Sequence, residues 1–172
     1  MIFRLSGSGK KEIRKRKEKE KEDIIISLPG FINQLLLLMD SGLIISDAFK
    51  KTAFEYGDLP EKQQNYFTKS VYGIYETSQK NGENVINGFY AFAGTSDSKE
   101  LIRTANFLYE NRNRGTEIWD RLSDLSEDLW NERKRLCMEK IKKSETKMSF
   151  PLGIMLISLI LMTSAPALMQ IR

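Results

Sequence analysis

The sequence predicts an all-α protein: a cytoplasmic six-helix bundle, in two related three-helix halves, followed by one C-terminal transmembrane helix. Apolar residues recur at three- and four-residue steps along residues 23–147, as they do on the buried face of a helix. No stretch shows the sustained alternation of apolar and polar residues that is typical of strands. Residues 148–171 carry no charged side chain. These three observations together favour helices throughout, with the last one in lipid.

The uncharged C-terminal stretch is long enough to cross a membrane. A hydrocarbon core about 30 Å thick requires roughly 20 predominantly apolar helical residues. Lys147 and Arg172 flank the stretch on its two sides. The 172 residues therefore divide into a basic N-terminal arm (1–22), a helical domain (23–147) and a transmembrane helix (148–171).

The distribution of charge predicts the orientation of that helix. Basic residues before it are Arg133, Lys134, Arg135, Lys140, Lys142, Lys143 and Lys147, whereas Arg172 alone follows it. Lys and Arg close to a span remain on the cytoplasmic side. We therefore expect a single-pass protein of the cell (inner or plasma) membrane, with the N-terminal domain in the cytoplasm and the C-terminus outside.

The N-terminal arm is too polar to form a core of its own. Residues 6–22 are mostly Lys, Arg and Glu. They fit an exposed helix, or a disordered arm near anionic lipid, where each basic residue is worth about 1 kcal/mol.

The first two helices are delimited by proline, glycine and capping residues. From Asp23 the pattern becomes helical, and Pro29 suits a first turn. Gly42 suits a left-handed C-terminal cap. Ser46 and Asp47 are predicted to cap the second helix. The apolar face of the first helix comprises Phe31, Ile32, Leu35, Leu36, Leu38 and Met39.

Two further helices follow a break at residues 57–60. The third is predicted from about residue 61 to residue 79, with Asn81-Gly82 after it. The fourth is predicted near residues 85–92 and ends at Gly94-Thr95.

The last two helices of the domain surround a turn at Gly115. Ser96 or Ser98 is predicted to cap the fifth helix, and Thr116 the sixth. The sixth helix carries a heptad-like apolar stripe of Ile118, Leu122, Leu125, Leu129, Leu136 and Ile141.

The composition argues against an enzyme. There is no histidine, which excludes Ser-His-Asp and Cys-His nucleophiles and histidine metal ligands. The one cysteine, Cys137, cannot form an intramolecular disulfide, and a buried or inert thiol is the favoured interpretation. We therefore expect no catalytic residue, no cofactor and no metal.

Several polar and aromatic residues have a structural interpretation beside a functional one. Asp120, Asp124 and Asp128 are spaced like a cation site, but acidic residues early in a helix also complement its dipole, which we favour. Trp119 and Trp130 lie too far before the span for the headgroup region, so they are predicted in the core or in a partner contact. Orientation and lipid contact explain the basic residues better than nucleic acid does.

A family resemblance rests on the order of several short motifs. They are Leu28-Pro29, Ser41-Gly42-Leu43, Asp47-Ala48, Asn113 to Thr116, Leu122, Glu127, Glu132-Arg133, Ser144 to Lys147, Phe150-Pro151 and Ala165-Pro166-Ala167. In this order they resemble the type II secretion system F family, and within it the TadC-like (tight-adherence) platform proteins. The likeness covers residues 23–171.

The resemblance implies a membrane assembly platform that does not itself hydrolyse ATP. Such a platform couples a cytoplasmic secretion ATPase to the assembly of prepilin or pseudopilin subunits of a type IV (Tad/Flp-like) pilus. Further expected partners are a second platform protein or another copy of the chain, and membrane lipid, but no nucleic acid. We predict the bundle–membrane junction at Glu145, Thr146, Lys147 and Pro151, and a kink of the span at Pro166.

Two alternatives remain open from the sequence. One is a tail-anchored helical scaffold or regulatory membrane protein unrelated to secretion. The other is a membrane-tethered nucleic-acid binder that uses residues 6–22.

Overall fold

The structure is a computed structural model that describes the backbone of residues 5–112 and 118–170. It describes the side chains of residues 10–112, 118–142 and 154–162. All regular structure in these ranges is helical, without a strand, which confirms the all-α class. The helices are α1 (Leu5–Asp40), α2 (Ile45–Gly57), α3 (Tyr66–Asn81), α4 (Val85–Gly94), α5 (Lys99–Asn111) and α6 (Ile118–Gln170).

The chain forms two compact units along its length. The N-terminal unit is Met1–Arg133, and the C-terminal unit is Lys134–Arg172. The N-terminal unit contains the hydrophobic core.

The first helix is longer than the sequence predicts. α1 begins at Leu5 and passes through Pro29, so the prediction of a start at Asp23 with Pro29 in the first turn is wrong. A proline inside a helix removes one backbone hydrogen bond and costs about 3 kcal/mol or more. Leu28 and Phe31, on either side of Pro29, are fully buried in the same core. Their shared burial offsets the local cost and keeps the helix continuous.

The turn between α1 and α2 is partly as predicted. Gly42 has φ +95°, which confirms the left-handed cap. The prediction that Ser46 and Asp47 cap α2 is wrong, because α2 begins at Ile45 after Ile44, which makes no side-chain cap. Asp47 instead lies in the first turn and pairs with Lys50 at 3.3 Å.

The start of α3 is set by a capping box that was not predicted. The Asn65 side chain accepts a hydrogen bond from the Thr68 backbone N–H at 3.0 Å, and the Thr68 hydroxyl accepts one from the Asn65 backbone N–H at 2.9 Å. This reciprocal pair satisfies two amides at the helix start, so α3 begins at Tyr66 rather than near residue 61. Gly82, with φ +68°, ends α3 as predicted.

Side-chain caps also begin α4 and α5, and the cap of α4 was not predicted. The Asn84 side chain accepts from the Ile86 N–H at 2.8 Å at the start of α4. Ser98, one of two predicted candidates, caps α5 by accepting from the Leu101 N–H at 3.3 Å. Gly115 and Thr116 lie outside the described residues.

One aromatic cluster occupies the centre of the N-terminal unit. The Phe31 ring lies 5.2 Å from Phe49, 5.6 Å from Phe67 and 5.6 Å from Phe89, measured between centroids. All four side chains are fully buried. Aromatic pairs at such distances add about 0.5–1.5 kcal/mol beyond burial of their area. The cluster therefore ties α1, α2, α3 and α4 to one core.

The first turns of α6 complete this core. Residues Ile118, Leu122, Leu125 and Leu129 of the predicted apolar stripe are 1%, 0%, 4% and 5% exposed. The stripe leaves the core after them, since Ile141 is 58% exposed and belongs to the C-terminal unit.

Candidate functional site

The predicted junction and kink residues lie on α6. The backbone is helical at Glu145, Thr146, Lys147 and Pro151, and the helix continues past Pro166 to Gln170. The side chains of these five residues lie outside the described part of the chain, so their roles stay predictions.

A run of exposed apolar side chains follows the predicted junction. Residues 154–162, which we call the apolar segment, are nine consecutive exposed positions on α6, and Ser158 is the one polar residue among them. The exposed fractions of the other eight lie between 54% for Ile160 and 82% for Met162. Because successive helical residues are about 100° apart, nine of them cover the whole circumference. A helix that is apolar all round is typical of a core or a membrane span.

Within the described residues, one helix is long and apolar enough to cross a membrane, and it is not the one that bears the apolar segment. It is Lys10–Asp40, near the N-terminus. About 44% of its most apolar window is buried inside the protein. Ile24, Leu28 and Leu35 belong to that stretch and are 0–1% exposed in the core. The packing thus assigns these side chains to the interior of the N-terminal unit.

The N-terminal half of α1 carries strongly basic, exposed residues. Between residues 10 and 22 there are eight basic and four acidic side chains, a net charge of +4. Two acids are engaged within the helix, since Arg14 pairs with Glu18 at 3.5 Å and Arg16 with Glu20 at 2.9 Å. Both are i,i+4 pairs, which stabilise a helix by a few tenths of a kcal/mol.

Three lysines of the same half form a row that we call the lysine stripe. Lys11, Lys15 and Lys19 are spaced four residues apart, so they lie above one another on one face of α1 and span about 12 Å. All three are exposed. Their four-residue spacing is the signal in the sequence that identifies them.

Lys17, on the other side of the helix, is held by the N-terminal unit. Its Nζ lies 2.9 Å from Asp97 Oδ2 in the turn before α5. The hydrogen bond to Asp97, and then its charge, raise the pKa of the Lys17 ammonium. The pair joins positions 80 residues apart and attaches the N-terminal half of α1 to the start of α5.

The start of α5 is also next to the last part of α6 in the N-terminal unit. Lys99, Glu100 and Arg103 line one cleft together with Asp128 and Glu132. Arg103 pairs with Asp128 at 2.9 Å. Lys17 and Glu132 therefore lie at the same end of α5.

The acidic triplet of α6 does not converge on a common point. Asp120, Asp124 and Asp128 are all exposed, and Asp128 is paired with Arg103. Within the described residues there is no group of three or more His, Cys, Asp or Glu suited to a metal. This geometry favours the structural interpretation of the three carboxylates.

The two tryptophans and the cysteine are exposed, although burial was expected or considered for each of them. Trp119 and Trp130 are each 41% exposed, so the core alternative is wrong, and a partner contact stays a prediction. The Arg133 guanidinium lies 4.9 Å from the centroid of Trp130. Cys137 is exposed, so its predicted burial is wrong, and its inertness stays a prediction.

Comparison with protein-family models, with curated proteins and with solved structures finds no match to this chain. The fold and the exposed surfaces by themselves define an all-α protein with a helix long and apolar enough to associate with a membrane.

Proposed function

We propose that this chain is a membrane assembly platform of a type II secretion or type IV (Tad/Flp-like) pilus machine. It couples a cytoplasmic secretion ATPase to the assembly of prepilin or pseudopilin subunits. The observation that carries the proposal is α6, a single helix that closes the core with Leu122 and Leu125 and also bears the apolar segment. The family resemblance of residues 23–171 supplies the kind of machine.

The exposure of the apolar segment supports a C-terminal transmembrane helix. Burying apolar surface is worth about 25 cal/mol per Å², and the segment leaves eight large apolar side chains at least 54% exposed. Lipid satisfies such a surface without any protein partner, and the helix satisfies its own backbone groups. The apolar part of α1 does not require lipid in the same way, because many of its apolar side chains are already buried in the core.

The charges before the apolar segment support the proposed orientation. Arg133, Lys134, Arg135, Lys140 and Lys142 precede it on α6. Basic residues within about 15–20 residues of a span remain in the cytoplasm. The N-terminal unit is then cytoplasmic, the protein crosses the membrane once, and the C-terminus lies outside. In this proposal the unit is the six-helix bundle, in two related halves, of the family.

Mechanical continuity gives the platform its means of coupling. α6 runs from Ile118 to Gln170 and contains both core residues of the N-terminal unit and the apolar segment. In this proposal, the action of the ATPase on the N-terminal unit reaches the span along this helix. The ATPase would contact the cytoplasmic unit, and the pilin would contact the span. A second platform protein or another copy of the chain would complete the assembly.

The experiment is site-specific photo-crosslinking in intact cells with full-length protein. A photoreactive residue replaces Leu37, which is 71% exposed on α1, or Leu161, which is 64% exposed in the apolar segment. We expect the Leu37 probe to capture the secretion ATPase and the Leu161 probe to capture prepilin or pseudopilin. Each position is the control for the other, because they present similar apolar side chains to different compartments.

Two results would oppose the proposal. If neither probe captures any component of a secretion or pilus machine, the platform function is wrong and a tail-anchored scaffold remains. If the Leu161 probe captures soluble cytoplasmic proteins rather than lipid or membrane proteins, the transmembrane assignment is wrong as well.

A further inference from the structure

We propose that the lysine stripe, Lys11, Lys15 and Lys19, binds the anionic headgroups of the membrane that α6 enters. The inference rests on the proposed function for the presence of that membrane. It adds a second membrane contact, made by the N-terminal half of α1 at the lipid surface.

The charge of this half of α1 is not neutralised within the protein. The arginines engage two of the four acids of residues 10–22, through Arg14–Glu18 and Arg16–Glu20. The three lysines remain exposed and form no ion pair with another described residue. Like charges four residues apart on a helix repel each other, so each stripe lysine is repelled by its neighbour. Attraction of all three ammonium groups to an external anionic surface would offset that repulsion.

The stripe lies on the side of α1 opposite the contact with Asp97. Lys17 meets Asp97 in a solvent-exposed pair, and Lys15 and Lys19 are two positions away from Lys17, which places them about 160° around the helix. A flat surface can therefore approach the three ammonium groups without disturbing the contact that holds α1. A row about 12 Å long meets several lipid headgroups at once.

The location of the stripe in the N-terminal unit fits a membrane surface. Lys17 contacts Asp97 at the start of α5, and Glu132 lines the cleft at that same end of α5. Glu132 directly precedes Arg133, the last residue of the unit before the chain continues toward the apolar segment. The basic half of α1 and the last residues of the N-terminal unit thus lie at the same end of α5.

Nucleic acid offers the same phosphate chemistry, but the location favours lipid. A nucleic-acid site gains nothing from being at this end of the unit. The four acids among residues 10–22 also weaken sequence-independent binding to a duplex, because such binding depends on neutralising many phosphates. The experiment below therefore includes a DNA duplex, which tests nucleic-acid binding by the stripe directly.

The experiment is lysine footprinting of the full-length chain in lipid nanodiscs. One set contains phosphatidylcholine alone, and the other contains equal parts of phosphatidylcholine and phosphatidylglycerol. The rate of acetylation at each lysine is measured by mass spectrometry. Lys51, Lys69 and Lys80 are exposed lysines of α2 and α3 and are the matched internal controls.

We expect the stripe lysines to react about fivefold more slowly in the anionic nanodiscs, since a basic residue near an anionic surface gains about 1 kcal/mol. The control lysines should react equally in both sets. The protection should largely disappear at 1 M salt, where the Debye length is about 3 Å.

Three results would overturn the inference, and they separate it from the proposed function. If the protein inserts and the stripe lysines are acetylated at equal rates in both kinds of nanodisc, lipid binding by the stripe is refuted. The proposed function is not affected by that result. Protection by a DNA duplex in phosphatidylcholine nanodiscs, but not by phosphatidylglycerol, assigns the stripe to nucleic acid. Failure of the chain to enter nanodiscs of either kind refutes the membrane platform and this inference together.

Discussion

The hydroxyl of Ser126 donates a hydrogen bond to Oδ1 of Asn33, across 93 residues of sequence. Ser126 lies on α6 and is 5% exposed, and Asn33 lies on α1 beside the core residue Ile32. This contact fixes the register of α6 on α1 in the unit that, under our proposal, receives the force of the ATPase.

Removing the Ser126 hydroxyl should destabilise the N-terminal unit. Ser126→Ala leaves Oδ1 of the half-buried Asn33 without this donor, which costs about 1–3 kcal/mol. We expect the midpoint of thermal unfolding in mild detergent to fall by roughly 2–12 °C, measured by circular dichroism. Ser123→Ala, at a half-buried serine of the same helix, is the control. Equal shifts in the two variants would show that the hydrogen bond adds nothing.

Two glycines should respond to alanine with opposite signs. Gly82 has φ +68° at the end of α3, where an L side chain is strained by roughly 1–2 kcal/mol, so Gly82→Ala should destabilise. Gly73 lies inside α3 with nothing within 4 Å of an added Cβ, so Gly73→Ala should stabilise by about 0.5–1 kcal/mol. Urea unfolding of the two variants gives both values. A loss of stability in Gly73→Ala would contradict this description of α3.

A charge in the apolar segment should impair membrane insertion. An arginine at the centre of a transmembrane helix costs about 2.5–3.5 kcal/mol. Leu161→Arg should therefore shift the protein into the supernatant when membranes are extracted with alkaline carbonate. Met138→Arg replaces an exposed apolar residue of α6 before the segment and is the control. If Leu161→Arg is retained in the membrane as fully as Met138→Arg, residues 154–162 do not cross the bilayer.

Tyr56 should make the protein sensitive to alkaline pH. Burial, and secondarily the charge of Glu55, raise the pKa of the Tyr56 phenol well above its ordinary value of 10.0. Above pH 10 the phenol of Tyr56 loses its proton in the unfolded chain but keeps it in the folded chain. The contribution of Tyr56 to the free energy of unfolding is therefore fully present below pH 10 and is lost as pH rises further. Tyr56→Phe should reduce the fall between pH 10 and pH 12, measured by urea unfolding.

The control for this pH dependence is Tyr90→Phe, which alters a tyrosine that is 45% exposed. It should follow the wild-type profile. If both variants follow the wild type, the burial of Tyr56 does not govern the alkaline response.

The fold was predictable wherever a helix ends at a short-range signal. Gly42 and Gly82 adopt the positive φ values that their positions required, and Ser98 is one of the two caps proposed for α5. The start of α3 was misjudged because the Asn65–Thr68 capping box outweighs the helix-forming residues before it. The same holds for Pro29, whose local preference is overridden by the core on either side of it.

The candidate surfaces were predictable in composition but not in arrangement. The sequence shows the basic residues of the arm, yet only the structure shows that Lys17 is engaged by Asp97 while Lys15 and Lys19 face outward. The lack of charge in residues 148–171 is also visible in the sequence. The all-round exposure of the described part, residues 154–162, is a property of the fold.

The sequence by itself determined the helical class, most of the helix ends and the position of the uncharged stretch, because these depend on residues within one or two turns. The tertiary structure decided that α1 runs through Pro29, that Ser126 meets Asn33, and which lysines remain available. These depend on contacts between residues far apart in the chain, such as the 80-residue separation of Lys17 and Asp97. Only the packing of the core brings such residues together.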